Sequence, residues 1–273
     1  MHLAIRIEKV RSIDALKGMA GMVYILGNTL EVVTCQTRQS NLRAFKRVTG
    51  GMYLDQFGTS HSCNKTTTRD QQMSSLRRSF TRLRRLIRAN FSGTCSEIHA
   101  ILTYSGDQNW DAQQLSKDVK AFWRKLRRKY PNVQYIAISD PHSMGAWHSH
   151  MLLKDITGKR LYITKSELET LWGKGLVRVR SLSRNHEIAG YFYKKLFDSN
   201  RLSYYPSSCK LYHCSKGIVR PKGILMPRDE IDAFIRDGHY SFKRGCTYQI
   251  LREDEEGYLT KINEVIREEY YSG

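Results

Sequence analysis

The sequence predicts a fold that mixes helices and strands, and three patterns carry that prediction. Apolar residues recur every three or four positions over residues 69–91 and again after Asp111, which is helical periodicity. Glu97 to Tyr104 is a short run of β-branched, aromatic and other apolar residues of the kind that forms a strand. In YIAISDPHSMGAWHSHMLLK, Tyr135 to Lys154, the turn-like Pro141 to Gly145 lies between two extended runs, so the simplest reading is a hairpin.

At 273 residues the chain is long enough to bury a core, and 40% hydrophobic residues agree with a folded protein. The formal charge of +19 is uneven: residues 1–228 carry 39 Lys and Arg against 15 Asp and Glu, while residues 229–273 carry 6 against 11. A body so basic attracts polyanions by counterion release, with nucleic acid the first partner to consider and anionic membrane the second. The longest apolar stretch, Met19 to Leu26, is too short to span a bilayer and lacks a signal-peptide cleavage pattern, so no membrane and a cytoplasmic location are expected. Six scattered cysteines without a C-x-x-C pair are expected to be reduced thiols. The spacing of Cys209, His213 and Cys214 fits no common zinc template.

Taken in order, residues 1–66 are an N-terminal accessory region. Met22 to Val33 reads as a hairpin about a Gly-Asn turn, and the rest reads as loop. His61 to Thr68 is a polar linker whose threonines suit a helix start. The helix over 69–91 carries Met73, Leu76, Phe80, Leu83, Ile87 and Phe91 on one face and Arg77, Arg78, Arg82, Arg84, Arg85 and Arg88 on the other. With Arg69 that makes seven arginines against the single Asp70, which favours phosphate contact over simple solvation. After the strand Glu97 to Tyr104, Asp111 caps a second helix with Leu115, Val119, Phe122 and Leu126 as its buried stripe, and Pro131 stops it. Beyond the hairpin come a short helix, Lys165 to Trp172, and a strand, Gly175 to Ser181, in which Val alternates with Arg178 and Arg180. Arg184 to Asp198 reads as a third long helix, although Gly190 weakens it by roughly 1 kcal/mol relative to alanine. Tyr191 and Lys194, three apart, share a face of it, and Tyr193 points elsewhere. Residues 229–273 read as an acidic helical segment.

On the second strand of the hairpin the period of two sends His148 and His150 to one face, with Trp147, Ser149 and Met151 on the other. Asp140 ends the first strand within reach of the histidine face. Two nitrogens and a carboxylate there suit a divalent cation with positions left open for substrate. Alone, the pair also fits histidines that only hydrogen-bond at a sheet surface.

From about Arg77 to Pro221 the chain resembles the HUH endonuclease superfamily, in particular the rolling-circle replication initiators (Rep proteins) of bacterial plasmids, phages and mobile elements. The residues that carry the resemblance are the arginine-rich helix ending LIRANF, the strand IHAILTY, SDPHSMGAWHSHMLLK as metal motif and IAGYFYK as nucleophile motif. CSKGIVRP resembles the basic segment that follows the nucleophile helix. The resemblance implies an α+β architecture, with the His-x-His strand in a central antiparallel sheet flanked by helices and an endonuclease domain over residues 67–228. It implies Mg or Mn held by His148 and His150, with Asp140 where relatives commonly have glutamate and His142 as the substitute third ligand. Ser149 stands in place of the usual hydrophobic residue. Lys195 replaces a second tyrosine carried by some relatives, so a single-tyrosine enzyme is expected.

The activity so implied is strand-specific nicking and rejoining of single-stranded DNA at a replication origin. Tyr191 is the nucleophile that forms a 5′-phosphotyrosine, and Lys194 favours its phenolate. Candidate DNA contacts are Arg77, Arg78, Arg84, Arg85, Arg178, Arg180, Lys216 and Arg220. No G-x-x-x-x-G-K-[ST] motif is present, so a host helicase is expected as a partner beside the host polymerase, in a bacterial cytoplasm. The alternatives are a transposase or relaxase of the same chemistry, or a non-enzymatic binder of single-stranded nucleic acid. Relaxases usually carry the nucleophile before the histidine motif, whereas Tyr191 follows it.

Overall fold

The structure, a computed structural model, describes residues 3–8, 19–35, 46–48, 52–54, 60–62, 73–106, 111–141, 147–182, 188–196, 204–206, 209–253 and 258–273. Strands β1 (Leu3–Glu8), β2 (Ala20–Leu26), β3 (Thr29–Cys35), β4 (Lys46–Val48), β5 (Met52–Leu54) and β6 (Ser60–Ser62) precede helix α1 (Met73–Asn90). Then come β7 (Glu97–Thr103), α2 (Ala112–Lys129), β8 (Val133–Pro141), β9 (Trp147–Asp155), α3 (Lys165–Trp172), β10 (Val177–Ser181) and α4 (Ile188–Leu196). After these lie β11 (Tyr212–Cys214), β12 (Ile224–Pro227), α5 (Arg228–Asp237), β13 (Tyr240–Glu253) and β14 (Leu259–Ser272). The chain divides into two compact units, Thr66–Arg220 and the pair of segments Met1–Lys65 and Pro221–Gly273.

The unit Thr66–Arg220 is an α+β layer built on a five-stranded antiparallel sheet, in the order β10-β7-β9-β8-β11. Local chemistry sets its helix ends. Asp111 accepts a hydrogen bond from the backbone N of Gln113 at 2.7 Å and starts α2, whose stripe of Leu115, Val119, Phe122 and Leu126 is buried. Thr164 accepts from the Glu167 backbone N at 3.2 Å and starts α3, which stops at Gly173 in the left-handed region. Both helices cover one face of the sheet, where Trp123 meets Tyr135 and Trp172 meets Phe122 and Tyr104. Helix α4 lies on the opposite face, beside α1, whose Leu76, Phe80, Leu83 and Ile87 are buried.

The turn from α3 into β10 depends on Gly175, at φ 151°. There Ser105 N donates to Lys174 O and Thr103 N to Leu176 O, each at 3.0 Å, so two stretches of main chain run in contact. A Cβ at position 175 would overlap the Thr103 carbonyl oxygen and the Ser105 nitrogen, neither of which can swing aside. Gly175→Ala is expected to destabilise the protein by roughly 3 kcal/mol, read as a lower denaturant midpoint at unchanged slope.

The second unit holds a six-stranded antiparallel sheet, β1-β13-β14-β3-β2-β12, and a small three-stranded sheet, β4-β5-β6. The expected Gly-Asn hairpin is β2–β3. Two expectations are corrected. Residues of the N-terminal region that read as loop form β1, β4, β5 and β6, and only Arg228–Asp237 of the supposedly helical C-terminal segment is helix. The remainder is the long β13–β14 hairpin, because its charges are neutralised across strands and leave the aromatic and β-branched residues to decide the conformation. Arg228, 4% exposed, pairs with the fully buried Glu268, which also accepts from the Tyr270 hydroxyl at 2.8 Å; Arg244 pairs with Glu269, and Arg267 with Glu31. Such a buried pair is tolerated only while both partners are present. Among the described residues no helix is long and apolar enough to cross a membrane.

Candidate metal centre

Strand pairing builds the site. In an antiparallel sheet, residues directly opposite one another project to the same face. Register sets Asp140 opposite His148 and Ile138 opposite His150 on the β8 side, with Thr103 opposite His148 and His99 opposite Leu152 on the β7 side. Asp140, His148, His150 and His99 therefore share one face, while Ser149 and Met151 point to the other, under α2. Ser149 is buried, and its hydroxyl has no hydrogen-bond partner among the described residues.

Asp140, His148 and His150 converge as the periodicity of the hairpin predicted, and they are the cluster of metal-ligand type found among the described residues. Asp140 Oδ2 lies 3.1 Å from each histidine Nε2, and the two Nε2 atoms lie 3.1 Å from each other. Three donors at the corners of such a triangle cannot all be satisfied by linear hydrogen bonds among themselves, but they fit one cation. Neighbouring ligands around a six-coordinate ion at about 2.1 Å are about 3.0 Å apart, against about 3.4 Å around a tetrahedral one. The triangle is closer to the six-coordinate value, which suits a hard divalent ion with open positions. Burial by itself would raise the Asp140 carboxyl, but hydrogen bonds and charge from His148 and His150 outweigh it and hold the group well below the usual carboxylate range. It is therefore ionised, as a ligand must be.

His99 belongs to this site and sequence reasoning missed it. Its Nε2 lies 2.9 Å from Nδ1 of His150, and both rings are buried. When Nε2 of His150 presents its lone pair to a cation, its Nδ1 carries the proton and donates to His99, which fixes ring and tautomer. Phe192 closes the cluster from α4, with its ring 5.3 Å from that of His99 and 5.5 Å from that of His150. The next residue back, Tyr191, meets Phe192 edge-on at 5.2 Å and is 49% exposed, so its hydroxyl is on the solvent side of the ring that caps the histidines.

The other candidates fall in several places. Arg178 and Arg180 lie exposed on the edge strand β10, opposite Ile101 and His99, on the face of the metal cluster. On α1, Arg77 and Arg78 are exposed and Arg84 and Arg85 half-buried, while Lys216 and Arg220 are exposed around the turn after β11. His142 and the side chain of Lys194 lie outside the described residues. Cys209, His213 and Cys214 form no such cluster: His213 Nε2 is 3.0 Å from Ser116 Oγ, and Cys214 Sγ is 3.1 Å from Arg220.

Residues 97–200, from β7 through the nucleophile helix, match the family described as Replication-associated protein ORF2. The metal cluster, His99 and Tyr191 all lie within the matched stretch, which is thus similar to a class of proteins that acts in replication. No curated protein and no solved structure matches the chain.

Proposed function

We propose that this protein is a replication initiator that nicks and rejoins single-stranded DNA at an origin through a tyrosine-linked intermediate. The observation that carries the reading is that α4 sets Phe192 on the Asp140, His148 and His150 cluster and so brings Tyr191 beside it. A divalent cation held by Asp140, His148 and His150, Mg or Mn, would polarise the scissile phosphodiester and offset the charge that develops on it. Tyr191 loses its phenolic proton and attacks phosphorus. The bond to the 3′ oxygen breaks, that oxygen takes up a proton as a free 3′-hydroxyl, and the 5′ phosphate stays on the tyrosine. One phosphodiester replaces another, so the same site can rejoin strands. Arg178 and Arg180, beside the cluster, offer phosphate contacts, and the chain acts with single-stranded origin DNA and with the host's helicase and polymerase in a bacterial cytoplasm. The test is cleavage of a library of single-stranded oligonucleotides with and without chelator. Sequence-selective nicking that chelator stops supports the reading, and binding without cleavage under any divalent ion would favour a non-enzymatic strand binder.

The arginines of α1 give a separate expectation. Changing Arg77, Arg78, Arg84 and Arg85 to Gln should weaken single-strand binding and lower the slope of log affinity against log salt by about 3, since each phosphate contact contributes about 0.7. Anisotropy titrations across a salt series measure it, and an unchanged slope would make this helix face a solvated one.

A further inference from the structure

The unit Thr66–Arg220 has a second concave polar site, at the β11 edge of the sheet. It is a cleft of about 420 Å³ whose walls include Ser79, Lys120, Lys210, Tyr212, His213 and Arg220, and no carboxylate lines it among the described residues. Its three cations come from three segments: α2, the stretch leading into β11, and the loop that follows β11. Like charges gathered in a hollow repel one another until an anion enters. His213 does not add to them, because burial, then Lys120 and Lys210, push its imidazole towards the neutral form.

The loop that carries Arg220 is held in place. Asn90, buried at the end of α1, accepts from Val219 N at 2.9 Å and donates to Val219 O and to Leu86 O, both at 2.8 Å. A side-chain amide that engages both main-chain groups of Val219 copies a rung of a β ladder, so the neighbouring guanidinium is positioned in advance. Register also places the cleft relative to the metal cluster. Arg178, Ile101, His150, Ile138 and Tyr212 form one row across all five strands, which sets Tyr212 two strand spacings, roughly 10 Å, to the side of His150.

We propose that this cleft is a nucleotide subsite for single-stranded DNA, holding one phosphate among Lys120, Lys210 and Arg220 and one unpaired base against Tyr212. It grips the strand to one side of the place where it is cut. The choice of DNA rests on the reading given under Proposed function. The room for about one nucleotide, the cationic walls and the half-buried aromatic ring come from the cleft itself, and this pairing of cations with a stacking platform suits unpaired strands.

The test follows the His213 ring by NMR in protein labelled with carbon-13 histidine, titrated with the thymidine dinucleotide pTpT. The His213 signal should shift and saturate, should stay put in Lys120→Gln/Lys210→Gln, and should still shift in His148→Ala/His150→Ala. No response in the wild-type protein overturns the proposal. An equal shift at equal concentration from inorganic phosphate alone overturns the nucleotide assignment in favour of a bare anion site. A second measurement is the salt dependence of binding to a single strand of roughly 16 nucleotides. Its slope should fall by about 2 when Lys120, Lys210 and Arg220 are all changed to Gln, and an unchanged slope also overturns the proposal. A chain that binds pTpT in the cleft yet nicks nothing would sink the nuclease reading and leave the subsite standing.

Discussion

Tyr191→Phe should bind single-stranded DNA as the wild-type chain does and form no covalent adduct with it. The substitution removes one oxygen. Tyr191 is half exposed, and its described contact is edge-to-face with Phe192, which a phenyl ring makes equally well, so neither the fold nor the position of α4 should change. Without the phenolic oxygen no phosphotyrosine can form, and the loss should exceed about 10³-fold, roughly 4 kcal/mol in the barrier. Denaturing gels report the protein-DNA band, and mass spectrometry of the trapped wild-type adduct locates the nucleotide. Tyr193 is the one rival nearby in sequence. Two positions further along a helix is about 200° around its axis, at 3.6 residues per turn, so the two positions cannot serve the same phosphate. A nucleotide on Tyr193, or wild-type nicking by the variant, would overturn the assignment.

The second large effect concerns the cation. His148→Ala/His150→Ala should abolish both nicking and Mn binding, the latter read directly by electron paramagnetic resonance without any DNA present. His99→Ala should weaken Mn binding by about 10–100-fold, the usual loss when the partner that orients a ligand histidine is removed. His99→Gln, whose amide oxygen can accept from His150 Nδ1, should recover part of it. A structural role alone would predict the same deficit in both His99 variants, in proportion to their loss of stability. Unaltered Mn affinity in His99→Ala would remove His99 from the site.

The hairpin and its ligands were legible because two features of short range specify them. Alternation along a strand is set by the pleat, and a loop as short as Pro141 to Gly145 leaves little freedom in how Asp140 meets His148. Helix limits at Asp111, Thr164 and Gly173 were equally local. His99 was not legible, since its partnership depends on the pairing of β7 with β9, 51 residues further along the chain, and nothing near His99 encodes that register. The C-terminal strands were misread for a related reason. Glu268, Glu269 and Arg267 look like the charged surface of a helix until Arg228, Arg244 and Glu31, distant in sequence, neutralise them. The cleft beside β11 joins residues from α1, α2 and the segment after α4, and it had no sequence signature beyond an excess of positive charge.

The order of strands in the six-stranded sheet bears on how the protein is made. Strand β1 pairs with β13, and β14 fills the place between β13 and β3, so the oldest strand of a growing chain has its neighbour some 240 residues away. A ribosome releases residues 66–220 well before β13 exists, and that unit needs nothing later than Arg220 to complete its own sheet. The nuclease unit can therefore fold during synthesis, whereas β1 waits with open edges until the last hairpin emerges. Slow, late closure of that kind makes the flanking sheet, rather than the metal centre, the part of this protein most exposed to aggregation during translation.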